Sequence, residues 1–386
     1  MKYGFKEVVL DSRTGLNPRK NFVLGNGNNN YITIKDIYDG KINITDKTDK
    51  VDDDAIQIIK KRSRIKVGDI LFVSIGRIGE TAIVSEKDDS WDVNESVFVF
   101  TVNEEIITPE YFCMLFRSDT VKDYLTGNSS GSTFKSIKMN QLERMVFDLP
   151  SLDIQRDITA KLVKIKDVCS LRTSQLTYFD ELIKARFVEL FGDPVSNSKK
   201  LPIATLPELG EFGRGVSKHR PRNDPKLLGG DYPLIQTGDV AAAELYITDY
   251  SATYSELGLK QSKMWDKGTL CITIAANIAK TAILTFDACF PDSVVGFMAN
   301  ERTSNIFIHY WFSFFQAILE SQAPESAQKN INLKILSELK VINPSKEAQV
   351  KFERFVKQVD KSKVVVQKAL EETRKLFDSL MQDYFG

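Results

Sequence analysis

Histidine and cysteine, the side chains that most often hold a transition metal or take part in nucleophilic catalysis, are scarce in this sequence. The histidines are His219 and His309, and the cysteines are Cys113, Cys169, Cys271 and Cys289, with no CxxC pair. A zinc site needs four ligands at close spacing, and the sequence offers no such group. Both histidines lie in the second half of the chain, so two matching His-dependent triads cannot form. We therefore expect no catalytic residue, no metal site and reduced thiols in a cytoplasmic protein.

Phosphate-binding loops are missing from the sequence as well. Gly40-Lys41 lacks the glycine that a Walker loop places five residues earlier. The segment Gly25-Asn-Gly27-Asn-Asn-Asn30 lacks the third glycine of a dinucleotide fingerprint and predicts a turn instead. No Asn-Pro-Pro-aromatic or Asp-Pro-Pro-aromatic tetrapeptide of a base methylase is present. These absences favour a binding protein over an enzyme.

Length and composition predict a folded chain of more than one domain. The 386 residues are 42% hydrophobic and 27% charged, and the 52 Lys and Arg balance the 52 Asp and Glu. No run of 18 apolar residues predicts a membrane span, and residues 1–10 do not resemble a secretory signal. Net neutrality neither supports nor excludes a nucleic-acid partner, because phosphate contact needs only a local basic surface.

The chain matches itself at two offsets, which indicates an internal duplication. At an offset of 200, the matching pairs are Gly15/Gly215, Gly68/Gly268, Ile78/Ile278 and Thr81-Ala82-Ile83/Thr281-Ala282-Ile283. At an offset of 194, they are Ile137/Ile331, Leu142/Leu336, Pro150/Pro344, Gln155/Gln349, Leu176/Leu370 and Phe191-Gly192/Phe385-Gly386. A period this long is a whole domain with its connector rather than a solenoid unit.

Each copy begins with about 150 residues of short strand-like runs broken by turn residues. A proline then precedes a helical stretch without Gly or Pro. We therefore predict an α+β protein with a pseudo-two-fold repeat, made of globular domains at 1–150 and 194–345 and long helices at 151–193 and 346–386.

The two predicted helices carry one apolar residue at alternating steps of three and four, which is the seam of a coiled coil. In the first helix the seam is Leu162, Ile165, Leu176, Phe179, Ile183 and Leu190, with Cys169, Arg172 and Arg186 at intervening positions. In the second helix it is Val356, Val359, Val366, Leu370, Phe377, Leu380 and Tyr384, with Lys363 and Thr373 between them. A seam this narrow is typical of helix-on-helix packing, although packing on the globular domains is the alternative.

Two copies of one unit that associate prefer a two-fold axis, which would make the two helices antiparallel. From Leu162 to Leu190 the helix rises roughly 42 Å at about 1.5 Å per residue. One DNA turn is roughly 34–36 Å. Such a pair could hold two domains about one DNA turn apart.

Four segments give the chain a family resemblance. They are Tyr31-Ile-Thr-Ile-Lys-Asp36 with its counterpart Tyr232-Pro-Leu-Ile-Gln-Thr-Gly-Asp239, Lys66–Gly76 leading into Gly79–Ile83, Gly131-Ser-Thr-Phe-Lys-Ser-Ile137 with Leu149-Pro150 and Gln155, and Phe187–Asp193. In this order, and in duplicate, they resemble the specificity subunit of type I restriction–modification enzymes. The second half departs from the pattern, with Ser326–Asn330 in place of Gly131–Lys135 and Ile274–Ala276 in place of Ser74–Gly76.

The resemblance implies that each globular half is a target recognition domain for one half of a bipartite asymmetric site in double-stranded DNA. It implies that the helices are spacers that set the gap between half-sites and bind two methyltransferase subunits, to which restriction/translocase subunits add. S-adenosylmethionine, ATP and magnesium would belong to those partners, and this chain would be non-catalytic. The alternatives are a coiled-coil adaptor with protein partners only, and a protein that fuses specificity with catalysis.

Given this resemblance, side chains suited to bases or phosphates in loops are candidate DNA contacts. In the first domain these are Arg13, Arg19, Lys20, Ser74, Arg77, Ser132, Thr133 and Lys135. In the second domain they are Arg214, Lys218, Arg220, Arg222, Gln236, Thr237, Asn277, Gln328, Lys329 and Asn330. The segment Arg214–Arg222 is the densest basic patch among them.

Overall fold

The computed structural model describes residues 1–19, 21–131, 134–322 and 331–386. The chain forms two compact units: unit 1 is Met1–Thr173 with Lys368–Gly386, and unit 2 is Ser174–Gln367. Each unit therefore combines one globular half with about half of each long helix.

The first globular half alternates short strands and helices. Its strands are β1 (Lys2–Gly4), β2 (Val9–Thr14), β3 (Asn29–Ile32), β4 (Ile37–Tyr38), β5 (Lys41–Ile42), β6 (Asp49–Val51), β7 (Ile70–Val73), β8 (Thr81–Ile83), β9 (Trp91–Val93), β10 (Val97–Val102) and β11 (Val146–Asp148). Its helices are α1 (Phe5–Val8), α2 (Asp53–Ser63), α3 (Pro109–Leu115), α4 (Asp119–Asn128) and α5 (Met139–Leu142), and the long helix α6 (Leu152–Phe191) follows.

The second half repeats the plan. Its strands are β12 (Ile203–Thr205), β13 (Gly210–Arg214), β14 (Leu228–Leu234), β15 (Tyr246–Ile247), β16 (Ala252–Tyr254), β17 (Met264–Trp265), β18 (Leu270–Thr273), β19 (Thr281–Leu284), β20 (Ala288–Cys289), β21 (Val294–Ala299) and β22 (Lys340–Ile342). Its helices are α7 (Leu206–Leu209), a 3-10 turn (Pro225–Leu227), α8 (Thr237–Ala242), α9 (Glu256–Lys260), α10 (Asn305–Gln322), α11 (Leu333–Glu338) and the long α12 (Lys346–Phe385). No described helix is long and apolar enough to cross a bilayer.

The two main sheets of unit 2 repeat those of unit 1, each with one additional edge strand, β15 and β17. In unit 1 the order β2-β10-β7-β8 forms one sheet and β6-β3-β9 another, while β1 pairs with β11. In unit 2 the orders are β13-β21-β18-β19-β15 and β16-β14-β20-β17, while β12 pairs with β22. The equivalent strands β3 and β14 are each antiparallel to one neighbour and parallel to the other. The predicted duplication is therefore a duplication of fold.

Local sequence signals explain where α2 and its equivalent α9 begin. Asp52 is the N-cap of α2 and its carboxylate accepts a hydrogen bond from the Ala55 amide at 2.8 Å. Ser255 caps α9 in the same way, accepting from the Gly258 amide at 3.2 Å. At the other end of α2, the last turn contains Lys60, Lys61 and Arg62. Basic side chains there interact favourably with the negative end of the helix dipole.

The matched glycines Gly15 and Gly215 lie where a strand passes close to another backbone. A Cβ atom on Gly15 would overlap the Val93 carbonyl, and one on Gly215 would overlap the carbonyls of Phe290 and Pro291. Any side chain would push these segments apart, so the same packing constraint accounts for a glycine at both positions.

Both long helices lie within two residues of the predicted bounds and pair antiparallel in each unit. In unit 1, Ile158 and Leu162 near the start of α6 share a core with Met381 and Phe385 at the end of α12. In unit 2 the ends are reversed, because Phe187 near the end of α6 packs at 5.3 Å between ring centroids on Phe352 near the start of α12.

A buried glutamine fixes the start of each long helix to its globular half. The Gln155 amide donates to the carbonyls of Pro150 at 2.9 Å and Ile106 at 2.8 Å, and its oxygen accepts from the Thr108 amide at 3.0 Å. The Gln349 amide likewise donates to Pro344 and Arg302, each at 3.0 Å, and its oxygen accepts from the Thr303 hydroxyl at 3.1 Å. Both side chains are fully buried.

Replacing either glutamine by alanine leaves buried backbone groups without partners, a loss of about 1–3 kcal/mol. We predict that Gln155→Ala lowers the urea midpoint of unit 1 and that Gln349→Ala lowers that of unit 2. Fluorescence and hydrogen exchange would distinguish the unfolding transitions of the two units. Gln175→Ala, at an exposed position of α6, is the control and should leave both midpoints in place. Unchanged midpoints in Gln155→Ala and Gln349→Ala would show that the glutamines do not fix the helix starts to the globular halves.

Candidate nucleic-acid interface

The loop after β3 in unit 1 and the loop after β14 in unit 2 are held by the same aspartate arrangement. Asp36 accepts a hydrogen bond from the Thr33 amide at 2.8 Å and one from the Thr48 hydroxyl at 3.1 Å. Asp239 accepts from the Gln236 amide at 2.7 Å and from the Ser251 hydroxyl at 2.9 Å. Each bond spans the same number of residues in both copies, three and twelve. We name this arrangement the aspartate lock.

In unit 2 the aspartate lock places two predicted residues at a cleft of about 280 Å³. Gln236 and Thr237 line it together with Arg222 and its neighbour Asn223, and Tyr254, Pro291 and Ser293 are among the other lining residues. Arginine, glutamine and asparagine are the side chains that bind base edges in pairs of hydrogen bonds. The fold thus gathers three of the predicted contacts into one concave surface.

Further predicted residues of unit 2 lie in the adjoining loops. Lys218 and Arg220 are exposed in the loop after β13, Arg214 is exposed at the end of that strand, and Asn277 is exposed in the turn between β18 and β19. Gln328, Lys329 and Asn330 fall outside the described residues.

A carboxylate that the sequence analysis did not select organises this basic loop. The Asp292 side chain forms ion pairs with Arg220 at 3.4 Å and with Arg222, and its backbone carbonyl accepts from Arg214 at 3.0 Å. Asp224 lies 3.1 Å from His219. A hydrogen bond from the Lys226 amide, above all, lowers the pKa of Asp224. His219 therefore has a carboxylate neighbour in its own loop.

In unit 1 the predicted residues fall into two groups. Arg77 and Lys135 are exposed and adjacent, because the Gly76 amide donates to the Lys135 carbonyl at 3.0 Å. The Arg77 guanidinium also donates to the carbonyls of Ile34 and Ile37 at 2.9 and 3.0 Å, which ties it to the loop of the aspartate lock. Arg19 is exposed, and Lys20, Ser132 and Thr133 lie outside the described residues.

Arg13 and Ser74 lie in the interior, which corrects their selection as DNA contacts. The Arg13 side chain is 4% exposed and forms an ion pair with Asp69 at 3.0 Å, and it also donates to the Arg64 carbonyl at 2.5 Å. The Ser74 hydroxyl donates to the Ser96 carbonyl at 2.7 Å. Both side chains hold strands together, and neither can reach a phosphate or a base.

One basic segment of unit 1 was not selected from the sequence, although its density was a usable signal. Five of the seven residues from Lys60 to Lys66 are basic. Arg62 donates to the Thr14 hydroxyl at 3.2 Å, so the end of α2 lies beside the loop that follows β2. We add this segment to the candidate phosphate contacts.

The predicted seam residues of both helices are all buried or half-buried. Two polar positions within the seam have specific partners. Arg172 donates to the Ala369 carbonyl and the Thr373 hydroxyl in unit 1. In unit 2, Lys363 forms ion pairs with Asp180 at 2.7 Å and with Glu244. A buried ammonium group needs such partners, since an unpaired charge in the interior is costly.

The groups around Lys363 have displaced pKa values. Burial alone would lower the pKa of Lys363, but its hydrogen bonds to Asp180 and Glu244 raise it. Burial raises the pKa of Asp360 to about 6, with Lys363 opposing and the carboxylates of Glu244 and Asp180 adding to the rise. In the same unit, burial lowers the pKa of His309 to about 4. The His309 Nδ1 atom lies 2.9 Å from the Thr281 hydroxyl.

One family of known proteins matches both halves of the chain. The family described as "Type I restriction modification DNA specificity domain" matches residues 6–178 and again residues 203–373. The chain belongs to this family. Its two specificity domains correspond to the two copies seen in the fold, and the predicted family resemblance is confirmed.

A curated relative matches most of the chain, and two solved structures share its fold. A protein of Methanocaldococcus jannaschii, provisionally named the specificity subunit of the type I restriction enzyme MjaX, is 24% identical over 367 residues, 90% of this chain and 84% of the relative. A chain solved in work on complex assembly and conformational transition of the type I R-M system has a TM-score of 0.62 at 19% identity, covering 100% of this chain and 97% of its own. The S subunit from M. genitalium gives 0.59 at 14% identity, covering 100% and 96%. These structures share the fold.

The lowered pKa of His309 predicts a measurable titration. In the unfolded chain this histidine takes up a proton near its ordinary pKa of about 6.5, whereas in the folded chain His309 is protonated only near pH 4. Its contribution to stability is therefore complete above about pH 6.5 and is lost as the pH falls toward 4. In NMR spectra the His309 ring signals should stay fixed between pH 8 and 5, with His219→Gln identifying them. A midpoint near pH 6.5 would show that the ring is open to water.

Proposed function

We propose that this chain is the non-catalytic specificity subunit of a type I restriction–modification complex. Residues 1–150 would recognise one half of a bipartite asymmetric site in double-stranded DNA, and residues 194–345 the other half. The observation that carries the proposal is the pair of matching specificity domains, each with an aspartate-locked loop beside exposed basic and amide side chains.

Different side chains on a common frame support the recognition of two different half-sites. The loops of the lock begin with Thr33 and Ile34 in unit 1 but with Gln236 and Thr237 in unit 2. Direct readout depends on such side chains, whereas phosphate contacts position the protein without reading sequence. Two frames of one shape with different contact residues would give an asymmetric site.

The antiparallel helices would act as the spacer and as the docking surface for two methyltransferase subunits, to which restriction/translocase subunits add. S-adenosylmethionine, ATP and magnesium would be bound by those subunits. The exposed apolar side chains of α6 support a docking role, since Leu171, Tyr178 and Leu182 are 69%, 66% and 48% exposed on a helix whose seam is already buried.

Exchange of one recognition domain tests the division of labour. We predict that replacing residues 1–150 by the first domain of another specificity subunit changes one half of the methylated sequence and leaves the other half unchanged. The measurement is methylation of a random duplex library by the chain with its methyltransferase partner. The unexchanged chain is the control. A change in both half-sites would contradict the assignment of one domain to each half.

Lengthening the helices tests the spacer. One seven-residue repeat inserted after Thr173 and another after Gln367 preserves the heptad seam and adds roughly 10 Å at about 1.5 Å per residue. At about 3.4 Å per base pair, the gap between half-sites should grow by about three base pairs while both half-sites stay the same. The same repeat placed in α6 alone is the control and should abolish specific methylation. An unchanged gap in the double insertion would rule out the helices as the ruler.

A further inference from the structure

Asp292 lies two residues before the start of β21 in unit 2, and three arginines from β13 and the loop that follows contact it there. Arg214 donates to its backbone carbonyl at 3.0 Å. Arg220 and Arg222 each contact a different carboxylate oxygen, Oδ2 and Oδ1. One carboxylate thus contacts two guanidinium groups that belong to a loop some 70 residues earlier in the chain.

The two arginines on the carboxylate differ in how many of their donors are used. Arg220 also donates through Nη1 to the carbonyls of Ser217 at 2.6 Å and His219 at 2.8 Å, so it closes its own loop. Arg222 meets no acceptor other than Asp292 within the described residues. A guanidinium has five donors, so most of those on Arg222 have no partner within the described residues, and Arg222 lines the cleft together with Gln236 and Thr237.

The ion pair between Arg222 and Asp292 contributes little to the free energy of unfolding. The side chains of Arg222 and Asp292 are 46% and 31% exposed, and pairs in such positions stabilise a fold only weakly. What the pair does supply is a fixed orientation for a side chain that would otherwise sample many rotamers. It also places a carboxylate beside the guanidinium, which weakens attraction to a phosphate but leaves the hydrogen-bond donors intact.

Guanine is the base that matches such a group, because its O6 and N7 atoms accept two parallel hydrogen bonds from one arginine. We propose that Asp292 is a specificity-determining positioning residue, which presents Arg222 to a guanine in the half-site recognised by unit 2. The inference rests on the proposed function, since it names one base of the DNA that unit 2 would bind.

The arrangement belongs to unit 2 alone within the described residues. The equivalent strands β10 and β21 begin at Val97 and Val294, which differ by 197, so the counterpart of Asp292 is Glu95. No ion pair joins Glu95 to an arginine in the described part of unit 1. The guanine contact is therefore expected in one half-site and not as a repeated element of both.

The test uses the full chain with its methyltransferase partner and a duplex DNA library randomised at every position. Methylated products are sequenced for the wild type, Arg222→Lys and Asp292→Asn. The wild type should give a split site with a required G·C pair in one half. Both variants should reduce discrimination at that pair by about 5- to 100-fold, since a lysine or an unheld arginine loses the bidentate contact, and leave every other position unchanged.

Arg302→Lys and Asp231→Asn, both at exposed positions of unit 2 outside the cleft, are the matched controls and should retain the wild-type site. A split site whose base preferences are the same in wild type and both cleft variants would overturn the inference and leave the proposed function standing. An equal loss of activity on all sequences would also overturn it, because that is the result expected of a phosphate contact. A wild type with no split site would overturn both.

Discussion

The apolar seam of the two long helices is the constraint on which the rest of the structure depends. Each helix is 40 residues long and carries a stripe too narrow to be covered by a globular domain along its whole length. Antiparallel pairing buries both stripes and brings the end of α12 into the core of unit 1 and the end of α6 into the core of unit 2. Unit 1 is therefore built from two separate segments of the chain, and unit 2 from the continuous segment between them. The buried Gln155 and Gln349 carry this arrangement into the globular halves, because they fix each helix start to backbone groups of the domain before it.

The two domains share one fold but fill equivalent positions in it with different side chains. In unit 1 the space beneath β2 holds the buried pair Arg13–Asp69. At the offset of 200, these positions are Gly213 and Thr269 in unit 2, and the Trp265 ring lies 3.5 Å from where a Cβ on Gly213 would be. The frame is kept by the aspartate lock and by glycines at close approaches, and the side chains around it are free to differ. A pair of sequence readers requires that separation between a fixed scaffold and variable contacts.

The sequence predicted the helices and their seam well because a heptad repeat is a local signal that contains its own register. The duplication was equally visible at Gly15/Gly215 and Gln155/Gln349, where the structural reason for each residue lies in backbone contacts. Contact residues were harder to predict. Whether an arginine faces water depends on partners far along the chain, such as Asp69 for Arg13 and Asp292 for Arg222, separated by 56 and 70 residues. Residue type and loop position do not show those partners, so Arg13 was selected and Asp292 was not.

Charged side chains within the seam restrict the register of the two helices, which apolar contacts alone would define less strictly. Lys363 pairs with Asp180 on α6 and with Glu244 of the globular half, and Arg172 donates to Thr373 on α12. The two contacts between helices favour the observed register over others. Under the proposed function, this register would set the gap between the two half-sites. Methylation sequencing of DNA from cells that carry this chain with its methyltransferase partner tests the central claim most directly. The account predicts one asymmetric motif in two defined parts, separated by a constant number of unspecified base pairs. A single uninterrupted motif, or methylation with no shared sequence, would contradict it.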